Sequence, residues 1–447
     1  MHRFVIVGGG AGGLELATRL GNAYGFKPDK RDDNAIAQVT LIDQKPTHLW
    51  KPLLHEVASG SMDAYAREIE YAAQAFWHGF EFQQGELTAL NRATKRVTIG
   101  PLFDDGMNEV LPSRELEYDT LVLCIGSTTA YYGVKGAQEN CIALDTVEQA
   151  ISFRKRMIAA CTRAEHRAEQ CQCAGQKHEP PVKIAIIGAG ATGVELSAEL
   201  RNTAEMLRVY GLHTLDPIRD VGIVLIEAAP RVLPALSERI SAATQELLRQ
   251  KSIEVMTGEA VSEITDGVIH TMSGKVIKTT LIVWAAGIKA PAVLARLDGL
   301  EVNRLGQIVV GQNVQTATDE SIFSLGDCAA CPWPGHERGV PPRAQAAHQQ
   351  ATFLAHAFHL RMRGEPLPLY TYRDLGSLVS IGHASAVGSL MGGLIGKSMF
   401  VEGLLARYMY SSLYRMHIAA LRGYRWMVLD MFTDWLRRKI APRVKLH

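Results

Sequence analysis

Two short segments carry a pattern suited to holding a phosphorylated ligand. FVIVGGGAGGLELATRL begins at Phe4 and IAIIGAGATGVELSAEL at Ile184, so Gly8, Gly10 and Gly13 correspond to Gly188, Gly190 and Gly193 at an offset of 180. In a G-x-G-x-x-G turn the first glycine makes the tight corner and the second lets the backbone approach a pyrophosphate. The third lets strand and helix pack closely, and the helix amino terminus offers unpaired N–H groups to the phosphates. Each copy is followed by an acid closing an apolar strand, Asp43 after VTLI and Glu227 after VLI, placed to accept hydrogen bonds from ribose hydroxyls. These acids lie 35 and 39 residues beyond the first glycine, where about 20 is usual; polar insertions at 25–38 and 208–220 account for the extra length. Later strands match as well, LVLCIGS ending through Gly126 and LIVWAAG through Gly287. A single glycine turn is equally well a structural corner, whereas two copies with the same flanking strands and acids favour two dinucleotide sites. The expected fold is α/β, with two Rossmann-like dinucleotide-binding domains.

Two sites in one chain imply two dinucleotides, one retained and one exchanged. FSLGDCA, with Gly326 and Asp327, resembles the second flavin-contact motif of two-dinucleotide-domain flavoproteins, in which the aspartate bonds the ribityl chain and the following helix points its amino terminus at the flavin. That resemblance implies a discontinuous FAD-binding domain, residues 1–145 and 305–385, holding FAD tightly but non-covalently. A nicotinamide domain, 146–304, is then inserted within it. Glu227 beside the ribose would repel a 2′-phosphate and so favours NADH as the exchanged dinucleotide, a preference that nearby Arg231 weakens.

Disulfide reductases of this architecture carry a CxxxxC pair after the first acidic strand, and here DQKPTHLWKPLLHEVASGSMD has no cysteine. HLWKPLLHEVASGS, GATGVELSAEL, VWAAGIKAP, GDCAACPWP, PPRAQAAHQQAT, LGSLVSIG and SLYRMHIAALRGY together resemble the type II, non-proton-pumping NADH:quinone oxidoreductases of bacterial respiratory chains, from about residue 3 to the terminal PRVKLH. The resemblance implies hydride transfer from NADH to FAD and two-electron reduction of a membrane quinone. It places Gln345 and His348, with Gln349 beside them, at the quinone headgroup, Glu195 near the nicotinamide, and Lys51 against the flavin. The bland readings are a polar helix face after Pro341-Pro342, a glutamate complementing a helix dipole, and an exposed lysine. Some relatives carry a lysine before the LGSL-like segment, where this chain has Tyr372-Arg373-Asp374. Two alternatives are weighed: a sulfide:quinone-type reductase using Cys124 with Cys328 or Cys331, and a redox-sensing scaffold without turnover.

The remaining composition sets bounds. With 47% apolar and 21% charged residues over 447 positions, disorder is excluded and about three domains are allowed. Seven cysteines, an odd number, fit a reducing compartment, and FVIV reads as a first strand, not a secretory leader. The linker residues Cys161, His166, Cys171, Cys173 and His178 lack zinc-site spacing, so no metal is expected. The net charge of +1 gives no reason to expect nucleic acid, but residues 401–447 hold nine basic against three acidic residues. Small apolar residues over 386–396 precede two helices in 402–440, broken near Arg422-Gly423. In the second, Val428, Leu429, Phe432, Trp435 and Leu436 fall opposite Asp430, Asp434, Arg437 and Arg438. No run of 18 apolar residues occurs, so the 386–447 segment is expected to lie in an anionic bilayer surface on the cytoplasmic face of the cell membrane, with Trp426 and Trp435 at headgroup level. A homodimer through the same segment is an alternative use.

Overall fold

The computed structural model describes residues 1–26, 35–170, 182–381, 386–391, 398–402 and 404–440. The apolar runs FVIV, VTLI and TLVL form strands buried on both faces, as a parallel sheet between helices demands. His2–Val7 is the centre of a five-stranded parallel sheet ordered Ile322–Ser324, Thr120–Leu123, His2–Val7, Ala37–Asp43, Glu81–Gln84. A second parallel sheet repeats the arrangement in the order Ile142–Ala143, Leu281–Trp284, Val182–Ile187, Val221–Glu227, Glu254–Thr257. In both, the strand entering the glycine turn is central, flanked by the strand that ends in the acid. Each unit also carries a three-stranded antiparallel sheet, over Leu87–Glu117 in one and Val261–Lys278 in the other. This is the α/β architecture with two Rossmann-like units that the repeat predicts. The chain passes into and out of the second unit side by side, through the antiparallel pair Thr128–Thr129 and Ile288–Lys289.

The helix after the second turn, Ala191–Val209, is held by a buried cation. Arg201 is 1% exposed. Its Nε donates to the Lys251 carbonyl at 3.0 Å, Nη2 to Ser252 at 3.0 Å, and Nη1 to Val221 at 3.0 Å and to Pro217. One guanidinium thus satisfies four carbonyls from two loops that the helix must sit between.

The tail begins with the strand Gly376–Ser380, which pairs with Ala386–Met391 and through it with Ser398–Glu402. Residues 392–396 of the small apolar stretch lie outside the described residues, as do Cys171, Cys173, His178 and the terminal PRVKLH. Two helices follow, Leu404–Arg422 and Tyr424–Ile440, separated at Gly423, whose φ of +85° turns the chain. The first of them docks on the amino-terminal unit. His417 sits 2.9 Å from His48 between Nε2 atoms and stacks on Trp50, and Gln74 donates to the Leu421 carbonyl at 2.8 Å. The second touches the body through Arg67 and Asp430 at 3.4 Å, while Trp426, Val428 and Leu429 are exposed. No described helix is long and apolar enough to cross a membrane.

Replacing Arg201 by methionine strands its carbonyl partners and is expected to lower the unfolding free energy by about 2–3 kcal/mol, read as a fall in the urea midpoint at unchanged slope. A pH dependence follows from two buried rings. His48 and His55 are both pushed down to about 4 by burial, Glu199 opposing the shift at His55. Both are neutral when folded, whereas the unfolded chain takes up protons near the ordinary value of about 6.5. Above that pH their contribution is constant; between about 6.5 and about 4 stability falls as pH falls, by on the order of 3 kcal/mol per ring at the lower end. Urea midpoints that stay flat across this range would refute the assignment.

Candidate functional site

The two glycine turns share their backbone geometry. Gly8 and Gly188 adopt φ of +104° and +102°, a region closed to most side chains. A Cβ on Gly13 would lie 1.9 Å from the Gly8 carbonyl oxygen, and one on Gly193 would lie 1.9 Å from that of Gly188. Gly10 and Gly190 differ in kind, because a Cβ there would meet nothing within 4 Å. They border open space in front of the helices Ala11–Tyr24 and Ala191–Val209, neither of which has a side-chain cap at its amino terminus. Room and unpaired N–H donors therefore coincide at both turns, which fits a pyrophosphate. The acids lie where the repeat predicts. Asp43 accepts from the Gly9 amide at 2.6 Å and Lys45 at 2.8 Å, and Glu227 from Ala189 at 2.6 Å and Ala229 at 2.8 Å. Burial pushes the Asp43 carboxyl up, and those two amides oppose the shift. Arg231 donates to the carbonyls of Leu236 and Pro234.

A second group of predicted residues meets at the carboxyl end of the first sheet. Asp327 accepts from the Ser127 hydroxyl at 2.8 Å, next to Gly126, whose φ is +70°. Lys51 Nζ donates to the Ser127 carbonyl at 2.8 Å and pairs with Asp145 at 3.1 Å, so Lys51 and Asp327 both engage Ser127, one its carbonyl and the other its hydroxyl. Gly326 donates its amide to Gln350 at 2.8 Å. No helix follows Asp327 directly. Gly326–Cys328 is a single 3-10 turn, and the next helix, Ala344–Met362, begins after the proline-rich 332–342 segment. Gly287, in the other unit, is covered by the Tyr132 ring.

The three candidates on helix Ala344–Met362 do different things. Gln345 donates to the Gly376 carbonyl at 3.1 Å and to Asp374, and accepts from the Leu375 amide. Gln349 binds both backbone groups of Arg373, at 2.8 and 3.0 Å. Both amides thereby fix the 373–376 segment. His348 turns instead toward Glu15, Nδ1 to carboxylate at 2.5 Å, and Glu15 also takes Arg19 at 2.8 Å and Thr352 at 3.2 Å. Glu15 is fully buried. Its counterpart Glu195 is buried too, accepting from the Ser380 amide at 3.0 Å with His55 at 3.6 Å. Glu15, His48, Ser127 and Gln350 escaped the sequence reading. His48 and Ser127 flank recognised motif residues, the one available signal, while His348 lies 333 residues from Glu15 and Gly326 lies 24 residues from Gln350.

The cysteines among the described residues are free thiols. Cys124 and Cys328 are buried and directed at backbone carbonyls, with Cys331 also buried. Burial raises the Cys124 thiol well above its ordinary value and pushes Cys328 and Cys331 to about 11, which disfavours thiolate chemistry. Among the described residues no cluster of three or more metal-ligating side chains occurs.

Comparison with known proteins bears on these sites. The pyridine nucleotide-disulphide oxidoreductase family profile matches residues 2–351. The chain is 41% identical to the type II NADH:quinone oxidoreductase of Haemophilus influenzae, covering 100% of both. In fold it is similar to NDH2 from Plasmodium falciparum solved in complex with NADH, with TM-score 0.79 and 17% identity over 100% of this chain and 99% of that one. The sulfide:quinone oxidoreductase of Aquifex aeolicus shares the fold at TM-score 0.70 and 18% identity, over 99% and 96% of the two chains. Doubled glycine turns, a flavin-contact motif with no redox cysteine pair before it, and likeness along the entire length converge on one assignment: the chain belongs to the type II NADH:quinone oxidoreductases of the pyridine nucleotide-disulphide oxidoreductase family.

Proposed function

We propose that this protein is a respiratory NADH dehydrogenase that oxidises NADH and reduces a membrane quinone to quinol without pumping protons. Bound FAD supplies the two-electron relay between the two substrates. The observation that carries the reading is the pair of equivalent turns, each with free space at its second glycine and an anchored acid behind it. Gly8, Gly10, Gly13 and Asp43 hold the FAD diphosphate and ribose, with Gly126, Gly326, Asp327 and Lys51 at the flavin end. Gly188, Gly190, Gly193 and Glu227 hold NADH, with Gly287 at the far end of that site. Arg231 is occupied by carbonyls, which leaves Glu227 to select the unphosphorylated ribose.

Glu195 aligns the nicotinamide, its carboxylate steadied by the Ser380 amide. Hydride transfer asks chiefly for this alignment and for exclusion of water. Quinol formation asks for protons as well. His348 holds one, its ring oriented by the buried Glu15 carboxylate, and Gln345 and Gln349 fix the adjoining 373–376 wall of the quinone site. The second tail helix attaches the protein to the cytoplasmic surface of the membrane through Trp426, Val428 and Leu429, and the basic surplus of residues 401–447 adds attraction to anionic lipid.

Purified protein with bound FAD is expected to consume NADH only when a short-chain quinone is present; quinone-independent loss of NADH absorbance, or none at all, would overturn the activity. Glu195→Gln should lower kcat/KM for NADH by about tenfold with flavin content unchanged. For attachment, Trp426→Ser combined with Leu429→Ser should release the protein from anionic liposomes while NADH:quinone turnover in detergent persists. Continued liposome binding by that double variant would refute the surface.

A further inference from the structure

The two turns differ in one respect, which is how the carbonyl of the residue between the first two glycines is satisfied. In the second unit this residue is Ala189, and its carbonyl accepts from the Leu233 amide at 2.8 Å, a backbone donor six residues beyond Glu227 in the same unit. In the first unit it is Gly9, whose carbonyl accepts from two side chains, Tyr71 Oη at 2.7 Å and His48 Nδ1 at 2.9 Å. A carbonyl cannot donate, so Nδ1 carries the proton. Burial keeps the His48 ring neutral, so its Nε2 is an acceptor. The donor facing it at 2.9 Å is then His417 Nε2–H, from the helix Leu404–Arg422 near the end of the chain. Both rings are buried, and Trp50 lies flat against His417.

We propose that His417 is a positioning residue of the FAD site: through His48 it fixes the Gly9 carbonyl, so the first dinucleotide turn is completed by the first tail helix, Leu404–Arg422. The chain of contacts has direct consequences for an anion bound at this turn. The Gly9 peptide is held at both ends, its N–H by Asp43 at 2.6 Å and its oxygen by His48 and Tyr71. With that oxygen engaged away from the ligand, the neighbouring amides stay directed toward the phosphates. Without the His417 donor, His48 has an empty buried acceptor and is free to change tautomer, after which Nδ1 becomes a lone pair facing the Gly9 oxygen. In the second turn the corresponding carbonyl is closed by its own loop, through the Leu233 amide. The asymmetry matches the two roles in the proposed function, on which this inference rests: the turn whose carbonyl is held from a distant helix retains its dinucleotide, and the turn whose carbonyl is held by its own loop exchanges it.

The test uses the full-length protein stripped of flavin and titrated with FAD, followed by visible circular dichroism of the bound flavin. H417F keeps an aromatic ring but no donor, and should weaken FAD binding by about tenfold and alter the flavin dichroism, while NADH binding, read by energy transfer from tryptophan, is unchanged. H417Q retains an N–H donor and should restore both. Y71F, which removes the other donor to the Gly9 oxygen, should weaken FAD binding with the tail untouched. Should H417F not fold, H417A is read in the same way, with added imidazole expected to restore FAD affinity. Wild-type FAD affinity in H417F or in H417A, an equal loss in H417Q, or a parallel loss of NADH affinity overturns the assignment. Failure of the underlying reading has a different signature: wild-type FAD binding abolished by a bulky side chain at Gly190 and indifferent to one at Gly10.

Discussion

Everything at these sites depends on a close approach between a strand and a helix. A Cβ at position 13 or 193 would overlap the carbonyl oxygen of Gly8 or Gly188, so each helix can start only because a hydrogen stands where a carbon would. That contact sets the angle at which the helix leaves the sheet, and the angle decides where its unpaired amides point. Asp43 and Glu227 then lock the turn from behind by accepting the amide of the residue between the first two glycines. Neither acid is committed by this, since each carboxylate oxygen keeps a lone pair for a ribose hydroxyl.

The helix Ala344–Met362 joins three separate segments of the chain. It contributes Gln350 to the Gly326 amide, His348 to the buried Glu15, and Gln345 and Gln349 to the 373–376 segment. The Gly326 loop, the first-unit helix and the 373–376 segment are thus all hydrogen-bonded to one helix. Glu195 has the corresponding position in the second unit, joined to the tail strand through Ser380.

What the sequence made legible was local in character. Glycine spacing, the acids that end apolar strands, and the break at Gly423 are decided within a few residues, and each stands where pattern and chemistry place it. Long-range pairings were not legible. Glu15 stands out only as the counterpart of Glu195 in the repeat, whereas its partner His348 lies 333 residues away. His48 and His417 are 369 residues apart and sit in segments with no shared periodicity. Arg201 illustrates the same limit, since a charged residue on a helix reads as solvent-facing unless the loops that bring carbonyls to it are known.

The order of strands in the first sheet has a consequence for how the chain is made. Thr120–Leu123 finds its outer neighbour only in Ile322–Ser324, so at synthesis rates of about 5–20 residues per second this strand remains an unprotected edge for roughly 10–40 seconds. The whole second unit emerges from the ribosome in that interval. It can close on itself through the stem formed by Thr128–Thr129 and Ile288–Lys289 while the first unit is still waiting for its last strand. The polypeptide that begins folding first is thereby the one that finishes last, and the tail helix bearing His417 arrives later still.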